Sequence, residues 1–477
     1  MRTAMLILLV LTTGLAPPPA ATAAEGRKPN VLIFLSDDVG WGEYGFQGSK
    51  DIPTPHIDSI AKAGVRFTQG YVSGPYCSPT RAGLMTGRYQ TRFGHEFNSV
   101  AARAGLSTKE TTIAERLRDA GYATAAIGKW HLGMTPEAHP LARGFGMFYG
   151  TLANTPYYHP TNFVDSRLGR ETRPVEDKDF YTTDMYAKRA VEWLEENKET
   201  PWFLYVPFNA QHAPLQAPQK YLDRFANIQD ERRRTFAAMM SAMDDAVGEV
   251  LAKVKAIGQE EDTLVVFFAD NGGPTPSTTS GNGPLRGFKA TTWEGGVRVP
   301  FCMKWPGKYP AGTVYENPII QLDLLPTALA AAGVKVDPAW KLDGVDLTPY
   351  LTGSNSGQPH ETLYWRFGPQ WAVRHGDWKL VVGRQGSGKP ELYHLAEDIG
   401  ESKDLAAAQP EKAKELQALY DRWDAEQAPP SVPDAPAGAA KKKARAAAKA
   451  PGTVKKKAAR KAARTGAAPP AAAGAKP

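Results

Sequence analysis

Two unbroken apolar runs do most to limit how this chain can fold. Asn30–Ser36 reads NVLIFLS and Thr263–Ala269 reads TLVVFFA, with hardly a polar side chain inside either. A strand with one wet face alternates polar and apolar residues. A continuous apolar run of this length suits a strand covered on both faces, as in a parallel sheet between helical layers. Residues 201–208 (PWFLYVPF) and 122–127 are further strand candidates. Between the runs lie helical patterns. Phe236, Met239, Met240, Met243, Val247, Val250, Leu251 and Val254 recur at spacings of three and four, and residues 111–120 form a second candidate. The methionines read as core filling rather than as a binding surface. Strands alternating with helices predict an α/β domain whose central sheet is mostly parallel and flanked by helices.

The pattern changes after about residue 353. Short strand-like runs at 371–374 and 378–382 flank the turn His375-Gly376-Asp377, and a helical stretch follows from 410 to about 426. This predicts a small C-terminal subdomain, residues 353–427, built as an antiparallel sheet with a helix. Residues 25–352 would then form the large domain.

The two ends are different in kind. Arg2, the apolar run from Ala4 to Val10 and the small residues ending Ala21-Thr22-Ala23-Ala24 have the layout of a secretory signal peptide, residues 1–24. The run is too short to span a bilayer, and Pro17-Pro18-Pro19 interrupts it. The chain is therefore expected to be exported, to a periplasm or outside the cell. The segment 428–477 carries twelve Lys or Arg against one Asp, a surplus of eleven positive charges. The whole chain has a net charge of +7, so the remainder is mildly acidic, at −4. Rich in Ala, Lys and Pro, the tail lacks the apolar surface to fold and is expected to be disordered. It could contact anionic polysaccharide or a cell surface. A nucleic-acid partner is not expected, because that reading rests on the tail alone and conflicts with export.

The long strands end in polar pairs, Asp37-Asp38 and Asp270-Asn271. Ligands of open α/β sheets bind beyond the carboxyl ends of strands, and four hard oxygen donors would suit Ca2+ or, less well, Mg2+. The same residue types are also common as turn and cap residues. Cys77 and Cys302 are the two cysteines, and in an exported protein they could form one disulfide.

The segment Cys77-Ser78-Pro79-Thr80-Arg81, followed by small residues and Thr86-Gly87-Arg88, resembles the signature of the sulfatase family. The similarity runs from about residue 29 to 426. Asp37 and Asp38 in LSDDVGWGEYG resemble the family's first metal pair, and Asp270 and Asn271 in FFADNGG its second. Lys129 and His131 in GKWHLG, His212 in NAQHAPLQAP and Lys289 in GPLRGFKATTWEGG match its other blocks.

The resemblance implies an alkaline-phosphatase-like fold and a sulfuric ester hydrolase. Cys77 would be converted by a formylglycine-generating or other sulfatase-maturating enzyme to Cα-formylglycine, leaving Cys302 unpaired. It also implies Ca2+ held by Asp37, Asp38, Asp270, Asn271 and the modified Cys77. Lys129, Lys289, His131 and His212 would neutralise the sulfate and handle protons, and Arg81 would fix the nucleophile's loop. Asp270 is the candidate to take the nucleophile's proton. His95, Glu96, Tyr157, Tyr158 and His159 are substrate-pocket candidates by position and type alone. The expected substrate is a sulfated polysaccharide or oligosaccharide. The alternatives are a phosphatase or phosphonate hydrolase of the same superfamily and an inactive protein that binds sulfated glycans.

Overall fold

The computed structural model describes residues 27–429 other than Gln385, so the expected signal peptide and the tail beyond 429 lie outside the described residues. Within it the two apolar runs are adjacent central strands of a nine-stranded sheet. Asn30–Ser36 pairs in parallel with Thr263–Ala269 on one side and with Trp202–Pro207 on the other. Ala123–Lys129 and Met147–Thr151 continue the parallel core. Every residue of both runs is buried, as covering on both faces requires. Antiparallel strands appear only towards the edges, where Phe301–Lys304 joins Thr263–Ala269 and Phe163–Asp165 joins Met147–Thr151.

Two groups of helices flank this sheet. Pro55–Lys62, Thr182–Glu196 and Glu231–Ala256 pack together, while Cys77–Thr86, Ile113–Asp119 and Leu324–Ala331 form the second group. Met239, Met240 and Met243 are fully buried in the longest helix, so they fill core space. Ile113–Asp119 starts where its sequence dictates. Thr112 accepts from the Glu115 amide at 3.1 Å, and the Glu115 carboxylate accepts from the Thr112 amide at 2.7 Å.

The strand expected at 122–127 extends to Lys129. Gly128 permits this: a Cβ there would stand 2.0 Å from the carbonyl oxygen of Pro207 on the neighbouring strand. Only glycine lets the backbones approach so closely, and the extension delivers Lys129 to the sheet's carboxyl edge.

The C-terminal segment forms a four-stranded antiparallel meander, Thr362–Phe367, Gln370–His375, Trp378–Val382 and Glu391–His394. Helix Pro410–Asp424 lies across it, with Tyr420 stacked on Trp371 at 4.3 Å. Its core is not private. Tyr71, Trp293, Ile320 and Leu322 belong to the same hydrophobic cluster, and the Trp365 indole N–H donates to the Val72 carbonyl at 2.7 Å.

One buried ion pair near this junction gives stability a pH dependence. His360 Nε2 lies 2.7 Å from Asp323 Oδ1, and Asp323 also accepts the amides of Ile320 and Val345. Burial pushes the His360 imidazole down, but Asp323 outweighs it and the net shift is upward. The pair's stabilisation is therefore full below the free histidine value of about 6.5 and is lost as pH rises through the raised folded value. Urea denaturation across that window should show His360→Gln costing stability on the acid side and little well above it.

Candidate active site

The candidate residues gather at the carboxyl end of the parallel core, where such sheets place their ligands. Ser36 and Ala269 are register partners, so Asp37-Asp38 and Asp270-Asn271 leave the sheet side by side. Lys129 closes its strand, His131 follows two residues later, and His212 lies in the loop after Trp202–Pro207. Cys77 is the first residue of helix Cys77–Thr86, all of which is buried. Lys289 comes from the loop before the short helix Glu294–Val297.

Cys77 is at the centre. Its Sγ lies 3.5 Å from Asp37 Oδ1 and 3.3 Å from Lys289 Nζ. Lys129 Nζ pairs with Asp37 Oδ2, and Lys289 Nζ reaches Asp38 Oδ1 at 2.5 Å. Arg81 binds Asp270 Oδ2 through Nε at 3.1 Å and Nη2 at 2.8 Å. It also donates to the Lys129 carbonyl at 2.7 Å and stands 3.4 Å from Asp37 Oδ2. His212 Nε2 is 3.7 Å from Asp38 Oδ2, while its Nδ1 faces the Ala213 carbonyl at 2.6 Å. Cys77 and Cys302 are both free and buried, Cys302 within the strand Phe301–Lys304.

Two of these residues hold unusual backbone conformations. Asp38 has φ 66° and His131 has φ 57°, the left-handed region that non-glycine residues rarely occupy. Such strain persists only where the surroundings enforce it, and it concentrates at functional sites.

The charges are closely balanced. Burial raises the Asp37 carboxyl, but Lys129, His212 and Arg81 outweigh it and hold it well below the usual range. Burial, with Asp37 beside it, pushes Asp270 up to about 6. The Cys77 thiol is raised by burial and by Asp37. His131 is held down by burial and then by Lys129 and Arg81, and its Nδ1 is buried without a hydrogen-bond partner. An unmodified Cys77 here is thus a protonated thiol, a poor nucleophile.

The donor set suits a hard divalent cation. One ligand atom each from Asp37, Asp38, Cys77 and Asp270 lies within 4.8 Å of the others. Asn271 donates its amide N–H to Asp38 Oδ1 at 2.8 Å and to the Gly272 carbonyl, which leaves Asn271 Oδ1 buried and unpartnered. An orphaned oxygen beside three carboxylates suits a hard divalent cation. The carboxylates of Asp37, Asp38 and Asp270 already face Arg81, Lys129 and Lys289. A bound divalent cation would therefore leave the cluster net positive, ready for an anionic ester.

Access is one-sided. The side chains of Asp37, Arg81 and Lys129 are fully buried, whereas Lys289 is 10% and His212 is 22% exposed. An incoming molecule meets His212 and Lys289 first.

The substrate-pocket candidates are scattered. His95 is buried, with Nε2 2.6 Å from Ser78 Oγ, and Glu96 is buried against Arg366. Tyr157 is buried and donates its hydroxyl to the carbonyls of Asn209 and His212, so it braces the His212 loop. Tyr158 is half-buried with its ring tilted against Tyr181, and His159 is exposed with its ring on the Val175 carbonyl. Two neighbours escaped the sequence reading. Asn154, exposed, lies 3.3 Å from His212 Nε2, and the Tyr76 ring lies 5.1 Å from Lys289 Nζ. Asn154 carries no local signal, whereas Tyr76 could have been suspected from its place beside Cys77.

Comparisons with known proteins show what the chain as a whole is similar to. A family model described as Sulfatase matches residues 29–334, and one described as N-sulphoglucosamine sulphohydrolase, C-terminal, matches residues 288–427. Human arylsulfatase A is 33% identical over 472 residues, covering 85% of this chain and 90% of the relative. Mouse N-acetylgalactosamine-6-sulfatase is 33% identical over 388 residues, covering 75% of this chain and 72% of the relative. A crystal structure of Ps i-CgsB in complex with k-i-k-neocarrahexaose superposes with a TM-score of 0.79 at 32% identity, covering 88% of this chain and 98% of that one.

Proposed function

The chain belongs to the sulfatase family, and we propose that its hydrolysis of sulfate esters runs at the cluster around Cys77, on a sulfated oligosaccharide or polysaccharide. One observation carries the reading: an unpaired Cys77 held between Asp37 and Lys289, with Arg81, Lys129 and His212 around them. The carbohydrate substrate is supported by the similarity to N-acetylgalactosamine-6-sulfatase and to a structure holding neocarrahexaose.

Asp37, Asp38, Asp270 and Asn271 would hold Ca2+, which when bound supplies positive charge for the sulfate oxygens. Cys77, once matured to formylglycine by a partner enzyme, supplies a hydrated aldehyde, an oxygen nucleophile with a second hydroxyl on the same carbon. The chain's own residues do the rest. Lys129 and Lys289 neutralise the ester so that an oxygen can approach sulfur. Asp270, oriented by Arg81, accepts the nucleophile's proton. His212 directs Nδ1 at the Ala213 carbonyl, so Nε2 faces the site and, when the ring carries a proton on both nitrogens, is the atom that protonates the departing sugar oxygen, with Lys289 beside it. His131, its Nδ1 unpartnered, takes the proton of the second hydroxyl as sulfate leaves.

Residues 1–24 would direct export, and the basic tail would contact anionic polysaccharide near the substrate. Residues 25–352 would supply the catalytic domain and 353–427 its C-terminal cover. Among the described residues no helix is long and apolar enough to cross a membrane.

The test is sulfate release from sulfated galactan, fucan and glycosaminoglycan oligosaccharides and from 4-nitrophenyl sulfate, with and without EGTA. Release from at least one carbohydrate, lost with chelator and restored by Ca2+ better than by Mg2+, is the expected result. Faster turnover of phosphate monoesters or phosphonates than of any sulfate would favour the phosphatase reading instead. Binding of sulfated oligosaccharides without turnover by matured protein would favour a glycan-binding role.

A further inference from the structure

The loop that carries Lys289 is gripped from the C-terminal sheet. Gln370, the first residue of Gln370–His375, donates its amide N–H to the Ala290 carbonyl at 3.0 Å and accepts the Arg384 amide at 2.8 Å. Ala290 follows Lys289 directly and has φ 65°, a conformation that needs enforcing in any residue with a Cβ. Its own amide donates to the Pro75 carbonyl at 2.8 Å, two residues before Cys77. Further along, the Trp293 indole N–H donates to the Arg384 carbonyl at 3.2 Å. The loop then ends on a wholly buried set: Lys379 Nζ lies 2.8 Å from Glu294 and 2.9 Å from Glu401, and the Glu294 amide donates to Glu401 at 2.7 Å. The two family matches overlap over residues 288–334, so Lys289 lies in the stretch that both share.

We propose that the C-terminal sheet is a positioning scaffold for Lys289, and that Gln370 is its main positioning residue. By holding the Ala290 carbonyl it fixes the left-handed turn that aims the Lys289 ammonium at Cys77 and Asp38. Gln370 is itself buried and spends its side-chain amide on Ala290 and Arg384, so it acts through Lys289. The proposal rests on the reading that Lys289 serves the reaction at Cys77. A charge that must lie within hydrogen-bond reach of reacting atoms is sensitive to small displacement, and a shift of about 1 Å can cost up to roughly 100-fold in rate.

A double-mutant cycle tests this with full-length matured protein, rates normalised to formylglycine content, and sulfate release from neocarrahexaose sulfates and 4-nitrophenyl sulfate. Gln370→Ala should lower kcat/KM roughly 10- to 100-fold in the parent, and less than about 2-fold in a Lys289→Ala background. Gln370→Glu keeps an acceptor for the Arg384 amide, removes the donor to Ala290 and turns a carboxylate oxygen towards that carbonyl. It should behave like Gln370→Ala, and it serves as the test if the alanine variant does not fold. Equal losses in both backgrounds, or no loss in the parent, would overturn the positioning role. A Lys289→Ala protein as active as the parent would instead sink the reading of the site on which the proposal stands.

Discussion

Replacing Cys77 with alanine is expected to reduce sulfate release by at least about 10,000-fold while leaving the protein folded. The thiol makes only long contacts, 3.5 Å to Asp37 and 3.3 Å to Lys289, so little stability depends on it. Cys77→Ser should be nearly as inactive. A serine hydroxyl has no second hydroxyl on the same carbon, so a sulfated serine could be cleared only by water attacking sulfur again. Steady-state sulfate release and circular dichroism on the parent and both variants check the result. An alanine variant with a tenth of parental activity would mean that the nucleophile lies elsewhere.

Arg81→Ala should be the most damaging single change to stability in the site, by roughly 3–5 kcal/mol, with activity lost as well. The guanidinium is fully buried and ties together Asp270, Asp37 and the Lys129 carbonyl, three points on three different strands or strand ends. Removing it leaves two buried carboxylates short of a partner, and the desolvation cost they already bear goes uncompensated. Arg81→Lys should recover only part of this, because one ammonium cannot reproduce the forked contacts to Asp270 and the carbonyl together. Urea denaturation of the three proteins measures it. A variant as stable as the parent would show that the carboxylates are neutralised by other groups.

The framework of the fold was legible because burial leaves a local mark. NVLIFLS and TLVVFFA suit strands covered on both faces, and they occupy the centre of the sheet. The helix at Phe236 to Val254 was equally plain from its spacing, as were the C-terminal strands from their turns. The site was legible in a different way. Cys77, Lys129, His212 and Lys289 each have a duller local reading, and resemblance to a family, rather than periodicity, joined them. The structure brings them to one end of one sheet.

What the sequence hid was set by distant partners. Glu96 sits in a promising place beside the signature, yet it is buried against Arg366, a residue 270 positions away. Tyr157 likewise turns inward to the His212 loop. The set formed by Lys379, Glu294 and Glu401 reads as ordinary surface charge until the C-terminal sheet is folded onto the body. Strand boundaries shifted for a comparable reason. Residues 122–127 carry the apolar signal, but the strand runs on to Lys129 because Gly128 can lie against Pro207.

Cys77, on the proposed function, is the precursor of the nucleophile. The most direct test of this is the mass of the Cys77-containing tryptic peptide from protein made in its native host. A species about 18 Da lighter than the cysteine form, the mass of formylglycine, is expected in the same preparation that releases sulfate. An active preparation in which that peptide carries only unmodified cysteine, or is joined to Cys302, would contradict it.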